Sequence, residues 1–506
     1  MKRVPYLNTV EAYKRHGSVN PLSVIMSPSG RDRNDLKVVS PKKLFRCFLY
    51  LFLFIFMALL IIGLSFLSED QGGYYSIFSE DMEFYEGADL HDKGRQSAEA
   101  EAITEPIILW WTPLTGERGR YKTCGSVSCY FTVDRHYWHH PQTEVFVFYG
   151  SDFKVNDLPL PKKSHHQWAL LHEESPKNNY IFSHADALEI FNYTSTFRRQ
   201  SDFPLVTQAL ESLEWLESQK YVISNSEKNK LLGDLAPVMY THSDCNPPSD
   251  RDTYVSILMK HLDVDSYGTC LHNRDLPDNL KDPIAGMGHK DFYQLVAKYK
   301  FSLALENAIC TDYITEKLWR PLMAGSVPIV YGSLQIRDLL PDNHSAILIE
   351  DFDSPEDLSW YLKFLLENDE EYEKYLHWKK TGVTNPVLKK LMKERVWQTS
   401  ESFNYVQVNF IDAFECFLCQ KVQHNRRRRK QGLETVTYQA TYEHYGCPKP
   451  NSFDRNGRIR EFSSWDYEYG YAKYVAKAVK QLISEGRVFK KDEIEALASQ
   501  YRREDK

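Results

Sequence analysis

The sequence predicts an α/β protein with a parallel sheet, and three observations within residues 301–332 support that prediction. Residues 301–305 and 327–331 are short apolar runs with the length of buried strands, and the second run is rich in β-branched residues. The residues between them carry an apolar stripe at four-residue spacing, with Asp312 as the candidate N-cap and Gly325 where a left-handed C-cap belongs. A strand, a helix and a second strand in that order form a βαβ unit, whose strands run parallel.

The loop at residues 306–312 is where this unit would bind a ligand. Open parallel sheets bind ligands beyond the carboxyl ends of their strands, at the loop that leads into the helix. Glu316 and Lys317 follow in the first helical turn, where free N–H groups and the positive end of the helix dipole favour an anion. The pattern favours a nucleotide sugar with a diphosphate, and the alternative is an ordinary ion pair on a solvated helix face.

Length and charge limit the class of protein. The chain has 506 residues and a net charge of −7, so it can bury a large core and gives no sign of a basic nucleic-acid surface. We therefore expect two domains with additional segments, and no nucleic-acid partner.

Residues 47–67 form an almost uninterrupted apolar run, about the length of one bilayer crossing. Lysine and arginine precede the run and acidic residues follow it, so the positive-inside rule places the N-terminus in the cytosol. We expect a cytoplasmic tail over residues 1–46, a single transmembrane signal-anchor over 47–67 and an acidic stem over 68–104. A cleaved signal peptide fits less well, because the run is long and begins well inside the chain.

A lumenal location of the remaining chain would permit disulfides and N-glycosylation. Asn192 and Asn343 each begin an Asn-x-Ser/Thr triplet and are therefore candidate glycosylation sites. Cys416 and Cys419 form a CxxC pair, which suits a disulfide element, a redox pair or a zinc half-site. A second CxxC or a His pair at the right spacing is missing, and this weakens the zinc interpretation.

Residues 106–111, 144–149 and 168–172 read as further buried strands, and the third runs into a turn imposed by Pro176. Glu173 and Glu174 lie at the end of this third strand. A carboxylate there points into a cleft, where a general base for an acceptor hydroxyl is needed. Neighbouring residues of an extended chain point in opposite directions, so only one of the two glutamates would face the cleft.

The strings at 305–307, 312–318 and 324–328 resemble the signature of the α-1,3-fucosyltransferase family. The resemblance extends over roughly residues 106–419, and it implies a GT-B fold with two Rossmann-like domains facing a cleft. The implied parts are an acceptor-side domain over 105–230, a donor domain over 231–415, and a CxxC with a C-terminal extension over 416–506.

The same resemblance implies GDP-fucose as the donor, and an inverting transfer. Leu305 replaces the usual phenylalanine of the signature, and Pro321 within the helix also departs from it, but neither change removes a donor-binding group. The positions that match the family's donor-binding residues are Arg251, Asn307, Tyr313, Glu316 and Lys317.

On the acceptor side, the Glu-Ser-Pro motif of the family falls on Glu174, which the resemblance makes the catalytic base. Arg198 and Arg199 match an arginine pair near the cleft of family members. Phe197 and Gln200 depart from the family segment, and their loss of a hydroxyl and a carboxylate puts the acceptor preference in question. This change and the C-terminal extension resemble the divergent branch that holds the tenth and eleventh human members.

The resemblance further implies that Cys416 and Cys419 bridge to Cys124 and Cys129, near the start of the globular region. The acceptor is then either a GlcNAc of a glycan, in α-1,3 linkage, or a serine or threonine of a folded protein domain. We expect no required cofactor and no bound metal, with Mn²⁺ at most stimulating the reaction. We expect a type II protein of the Golgi or endoplasmic reticulum membrane with a lumenal catalytic part.

Two rivals remain open from the sequence. A catalytically silent lumenal chaperone could keep the fold and bind glycans or protein domains. A GT-A enzyme would instead use an Asp-x-Asp pair and Mn²⁺, and such pairs occur at 263–265 and 351–353. For the second pair, the capping of the next helix is the preferred interpretation.

Overall fold

The computed structural model describes residues 103–114, 119–282, 286, 288–397 and 409–505. The predicted cytoplasmic tail, transmembrane segment and nearly all of the predicted stem lie outside these residues. Within the described part, none of the helices has the length and apolar character that a bilayer crossing needs.

The first sheet has six strands in the order β2-β3-β1-β4-β5-β6. Its strands are β1 (Ile107–Thr112), β2 (Arg120–Cys124), β3 (Val127–Thr132), β4 (Thr143–Tyr149), β5 (Gln167–His172) and β6 (Tyr193–Thr196). All neighbours are parallel except β2, which forms an antiparallel hairpin with β3. The strands β1, β4 and β5 are buried over nearly their whole length, which explains their continuous apolar runs.

The second sheet has five parallel strands in the order β11-β10-β9-β7-β8. Its strands are β7 (Val238–Tyr240), β8 (Val264–Ser266), β9 (Phe301–Leu305), β10 (Val327–Tyr331) and β11 (Ile347–Leu348). The strand order reverses between β7 and β9. Such a switch point is where open α/β sheets bind their ligands.

The helices follow in chain order. They are α1 (Ala185–Leu188), α2 (Leu213–Glu217), α3 (Asn225–Leu231), α4 (Arg251–Leu258), α5 (Lys290–Ala297), α6 (Glu316–Ala324), α7 (Pro355–Glu367), α8 (Asp369–Lys374), α9 (Trp378–Thr381), α10 (Pro386–Glu394), α11 (Phe410–Lys430), α12 (Asp466–Ser484) and α13 (Lys491–Glu504). A short hairpin joins β12 (Ser452–Phe453) to β13 (Ile459–Arg460).

The predicted βαβ unit is present as β9, α6 and β10, with Gly325 in the left-handed C-cap position at φ 75°. The predicted N-cap at Asp312 is wrong. The helix begins at Glu316, and Thr315 is the N-cap, whose hydroxyl accepts from the Lys317 N–H at 3.4 Å. Asp312 has a φ of 65° and a fully buried side chain that is bound by Arg199, so it shapes the loop instead.

The C-terminal segments cover both faces of the first sheet. On one face, α12 packs against α1, the 3₁₀ segment Tyr180–Ser183 and α13, in the same apolar cluster as Leu109 and Phe148 of the sheet. On the other face, α11 packs against the alternating set, such as Ile108 and Val147. All the described residues belong to one compact unit, Ile77–Lys506, so the extension is part of the globular core.

The basic run at 426–430, which by its charge alone would suit a solvated loop, is helical. These residues form the last turn of α11, where positive charge is favourable at the helix C-terminus. Arg426 and Arg429 both pair with Glu144 at the start of β4.

Four disulfides are present in the described residues. Two of them, Cys124–Cys416 and Cys129–Cys419, tie the β2–β3 hairpin to α11, in agreement with the bridge implied by the resemblance. The other two, Cys245–Cys270 and Cys310–Cys447, were not anticipated. The last one joins the loop after β9 to the C-terminal extension.

Candidate active site

A cavity of about 730 Å³ opens at the carboxyl ends of β7 and β9, at the switch point of the second sheet. This volume is in the usual range for small-molecule sites. One part of its wall is apolar, with Leu276, Leu280, Phe292 and Val296, and another part is charged. Four of the five predicted donor-binding residues line it, namely Arg251, Asn307, Glu316 and Lys317. The combination suits a nucleoside diphosphate, whose base is flat and whose phosphates are anionic.

Arg251 is held rigidly at the floor of this cavity. It is the first residue of α4 and is only 1% exposed, although an arginine early in a helix is ordinarily solvated. Its guanidinium donates to the Leu305 carbonyl at 2.9 Å, the Asn307 Oδ1 at 2.5 Å and the Asp244 carbonyl at 2.9 Å. These contacts orient both Arg251 and Asn307, so a phosphate would meet a fixed planar donor.

Lys317 lies close to two carboxylates. Its Nζ is 3.4 Å from Glu316 Oε1 and 3.6 Å from Glu306 Oε2. Burial opposes its charge, but these carboxylates outweigh burial and raise the pKa of Lys317. Burial is likewise outweighed at Glu316, where Lys317 and Arg320 lower the pKa to about 2. Both groups therefore remain charged over the whole physiological range.

Glu306 was not among the predicted site residues. It is buried directly after β9, where burial raises its pKa, and it accepts from the Thr315 N–H at 2.8 Å and hydroxyl at 2.9 Å. It thereby fixes the N-cap residue of α6, and its Oε2 lies 3.6 Å from the Lys317 Nζ. An acidic residue at the carboxyl end of a central parallel strand was the signal that could have identified it.

Tyr313 is not one of the residues that line the cavity in the described part of the chain. It is 1% exposed and packs on the ring of Phe197 from the first-sheet side, with ring centroids 5.1 Å apart. Burial and the nearby Glu306 and Glu174 raise the pKa of its hydroxyl. The structure thus places Tyr313 against Phe197, within electrostatic reach of both Glu306 and Glu174.

Glu174 and Glu173 follow β5 and have different surroundings. Burial raises the pKa of Glu174, and the positive charge of Lys317 counteracts this shift. The Glu174 carboxyl therefore interacts electrostatically with a residue that lines the cavity. Glu173 accepts from the Tyr149 hydroxyl at 3.3 Å, and burial raises its pKa to about 7. Of the two glutamates, Glu174 is therefore the one whose charge interacts with charged side chains of the second sheet.

Arg198 and Arg199 are engaged in intramolecular contacts. Arg199 forms a two-pronged pair with Asp312, with distances of 2.7 and 3.0 Å to Oδ1, and also pairs with Asp338 at 2.8 Å. Arg198 donates to the Gly446 carbonyl at 3.2 Å. The structure thus places Arg199 at a junction between the two sheets and Arg198 against the extension.

The candidate glycosylation sites and the two Asp-x-Asp pairs lie outside the wall of this cavity, and the pair at 263–265 lines a different cavity. Asn192 donates to the Tyr438 carbonyl at 3.0 Å from the side chain, whereas Asn343 is exposed. Of the Asp-x-Asp pairs, Asp265 accepts from Tyr299 at 2.6 Å and pairs with Arg274 at 3.0 Å, and Asp351 pairs with Arg337 at 3.1 Å. One aspartate of each pair thus already serves a structural contact.

The chain matches two models of fucosyltransferase sequences and is similar to several named proteins. Residues 103–207 match the model for the N-terminal part of fucosyltransferases, and residues 226–438 match the model for the C-terminal part of glycosyltransferase family 10 (fucosyltransferase). A chicken protein (Gallus gallus) named GDP-fucose protein O-fucosyltransferase 3 is 50% identical over 389 residues, which cover 76% of this chain and 81% of that protein.

Other similar proteins extend the comparison. The human protein (Homo sapiens) with the same name is 47% identical over 401 residues, covering 78% of this chain and 82% of the human one. A crystal structure of an α1,3-fucosyltransferase with GDP aligns with a TM-score of 0.35 and 15% identity, covering 64% of this chain and 92% of that one.

Proposed function

The chain belongs to glycosyltransferase family 10, the fucosyltransferases, and we propose that it transfers L-fucose from GDP-fucose to a serine or threonine hydroxyl of a folded protein domain. The relatives named GDP-fucose protein O-fucosyltransferase 3 support a protein acceptor. The observation that carries the catalytic assignment is the electrostatic coupling of Glu174, on the first sheet, to Lys317, in the cavity of the second sheet. This coupling supports the proposal that a base and a phosphate-binding cation act in one cleft.

The donor is held by its diphosphate. Arg251 offers a planar fork that two phosphate oxygens can share, and Lys317 adds a charge at the N-terminus of α6. As the bond from fucose to GDP breaks, negative charge grows on the leaving diphosphate. Fixed positive groups at that position stabilise the transition state more than the ground state.

The acceptor is activated by Glu174. Its carboxylate takes the proton from the acceptor hydroxyl while the oxygen attacks the anomeric carbon, and the carbon–oxygen bond to GDP breaks on the opposite face. The anomeric configuration is therefore inverted, through an oxocarbenium-like transition state. A carboxylate whose pKa is raised by burial is a better base near neutral pH than an exposed one.

We propose that transfer does not require a metal ion, because Arg251, Lys317 and the helix N-terminus supply the positive charge. Mn²⁺ would then stimulate at most by neutralising phosphate charge. Full activity in EDTA is the expected result, and complete loss of activity that Mn²⁺ restores would overturn this proposal.

We also propose that residues 47–67 anchor the protein as a type II membrane protein, with residues after about 68 in the lumen of the endoplasmic reticulum or Golgi. The four disulfides support an oxidising compartment. Protease treatment of sealed microsomes should remove an N-terminal tag and leave the C-terminal part intact. Digestion of the C-terminal part would contradict the orientation.

The acceptor class is tested with the purified full-length protein in detergent and GDP-fucose. GDP release is measured with folded, disulfide-bonded protein domains, with the same domains unfolded by reduction, and with GlcNAc-terminated glycans. Release that depends on folded domains, with a mass increase of one fucose on serine or threonine, is the expected result. Release only with glycans would assign an α-1,3 transfer to GlcNAc instead. GDP binding without release, also with proteins of a cell lysate, would favour the silent chaperone.

A further inference from the structure

Tyr445 lies in the C-terminal extension and is completely buried against the first sheet. Its ring stacks on the imidazole of His172 with centroids 5.0 Å apart and planes at 16°. The rings of Phe182 and Phe197 pack around it at 6.0 and 4.8 Å. The position of Tyr445 is therefore fixed by aromatic packing, before any polar contact is considered.

The hydroxyl of Tyr445 donates to the main-chain carbonyl of Glu174 at 2.9 Å. The pairing of β5 with β6 ends at His172, so Glu174 lies beyond the last ladder contact between these strands. A side chain that comes from 271 residues further along the sequence thus supplies a donor just where the ladder stops. A buried carbonyl needs such a donor, and the bond restrains the main chain at this point.

The segment around Tyr445 is itself attached on both sides. His444 contacts Thr194 at 3.1 Å, and the Thr196 hydroxyl donates to the His444 carbonyl. Two residues after Tyr445, Cys447 is bonded to Cys310 in the loop that follows β9. The segment that carries Tyr445 is therefore connected both to β6 of the first sheet and to the loop after β9 of the second sheet.

We propose that Tyr445 is a positioning residue for fucosyl transfer, whose hydroxyl fixes the main chain at Glu174 and so sets the distance from the base to the donor cavity. The inference rests on the proposed role of Glu174 as the base. It makes the C-terminal extension a part of the active site. A base displaced by about 1 Å loses much of its effect, because proton transfer requires hydrogen-bond distance.

The test is Tyr445→Phe in the full-length protein, which keeps the ring packing and removes only the hydroxyl. We expect kcat to fall about tenfold, with the KM for GDP-fucose and the Kd for GDP unchanged, because donor binding does not involve this contact. The acid limb of the kcat–pH profile should also move to higher pH. A Glu174 carboxylate that drifts from Lys317 loses the charge that lowers its pKa.

Tyr474→Phe is the matched control, because the Tyr474 hydroxyl donates to Asp505 at 2.8 Å within the same extension, away from the proposed base. It should leave kcat and the pH profile unchanged. Thr196→Val is a second variant that loosens the His444 segment, and it should show a smaller change of the same kind as Tyr445→Phe. This variant keeps the proposal testable if Tyr445→Phe does not fold.

The inference is overturned if Tyr445→Phe unfolds at a lower temperature but retains the wild-type kcat and pH profile, since Tyr445 would then be merely structural. A parallel assay of Glu174→Gln separates this outcome from a failure of the proposed function. If Glu174→Gln transfers fucose at the wild-type rate, the assignment of the base is wrong, whatever Tyr445→Phe does. If Glu174→Gln is inactive and Tyr445→Phe is normal, only the positioning role is refuted.

Discussion

The donor side and the base side of the proposed active site are built from different kinds of sequence. On the donor side, Asn307, Glu316 and Lys317 lie within the one βαβ unit, and Arg251 joins them from α4, 56 residues before Asn307. On the base side, Glu174 depends on Tyr445 from the far C-terminal end. A site made within one local unit is visible in the sequence, whereas a site made by distant segments is not.

The two sides also differ in electrostatics. The donor side is a set of compensated charges, in which Glu316 and Lys317 hold each other in their ionised forms. The base side is enclosed by aromatic rings, and burial raises the pKa of both Glu173 and Glu174. We therefore expect the pH dependence of the reaction to come from the base side alone.

The largest effect should come from Glu174→Gln, which removes the base but keeps its shape. We expect transfer to fall about 10³-fold, because proton abstraction contributes 10²–10⁴-fold in general base catalysis. The Kd for GDP should be unchanged, since the donor side is intact. The transfer rate is measured as fucose incorporation, and the Kd is measured by calorimetric titration with GDP. A matching loss of GDP binding would show that the two sides are not separable in this way.

The next largest effect is expected at the ion pair between Arg199 and Asp312, which joins the two sides. Arg199→Gln leaves the buried carboxylate of Asp312 without its partner, and we expect a loss of about 3–4 kcal/mol in the free energy of unfolding. The double variant with Asp312→Asn should recover part of this loss, because it removes the unpaired charge and asparagine tolerates a positive φ. Chemical denaturation measures both. A loss below about 1 kcal/mol would mean that Asp312 is solvated after all.

The sequence was sufficient for the features that depend on local periodicity and caps. The strands at 301–305 and 327–331 and the cap at Gly325 were predicted from neighbouring residues, and a cavity lies at the carboxyl ends of the strands, where the ligand site is predicted. The error at Asp312 is informative. Asp312 has the right residue type for an N-cap, but a long-range pair with Arg199 holds it in the loop, and Thr315 takes the cap.

The features that were missed all depend on contacts between distant segments. Nothing near Tyr445 in the sequence indicates that its hydroxyl reaches Glu174, and the Cys310–Cys447 bridge spans 137 residues. The basic run at 426–430 ends α11, and its ion pairs with Glu144 of the first sheet, which lies 282 residues before Arg426, are not visible in the local sequence. A single sequence does not contain these pairings in a local pattern.

Lys317→Ala tests the donor side alone. We expect the Kd for GDP to rise about thirtyfold, or about 2 kcal/mol, because one charge-assisted contact to phosphate is lost. Lys298→Ala is the matched control, since Lys298 is exposed at the end of α5, and it should not change the Kd. The acid limb of the pH profile should move upward with Lys317→Ala, as the charge that lowers the pKa of Glu174 is gone. An unchanged limb would argue against the coupling between the two sides.

The smallest effect concerns Glu173, the other glutamate of the base side. Its pKa of about 7 in the folded protein lies above the ordinary value of 4.5, so the native state keeps this proton to higher pH than the unfolded chain does. The free energy of unfolding should therefore decrease as pH rises between about 4.5 and 7. Glu173→Gln removes this dependence, and the stability of the variant relative to wild type should improve by roughly 1–2 kcal/mol from pH 5.5 to pH 7.

Urea denaturation at the two pH values measures this difference, and Glu370→Gln on the exposed surface controls for the loss of one negative charge. The same variant also separates the two glutamates in catalysis. Because Glu173 contacts Tyr149 within the first sheet, Glu173→Gln should retain most of the transfer activity. If it were instead inactive while Glu174→Gln remained active, the base would be Glu173. The base would then be the glutamate that contacts Tyr149 of the first sheet, and the electrostatic coupling of Glu174 to Lys317 would have no part in the reaction.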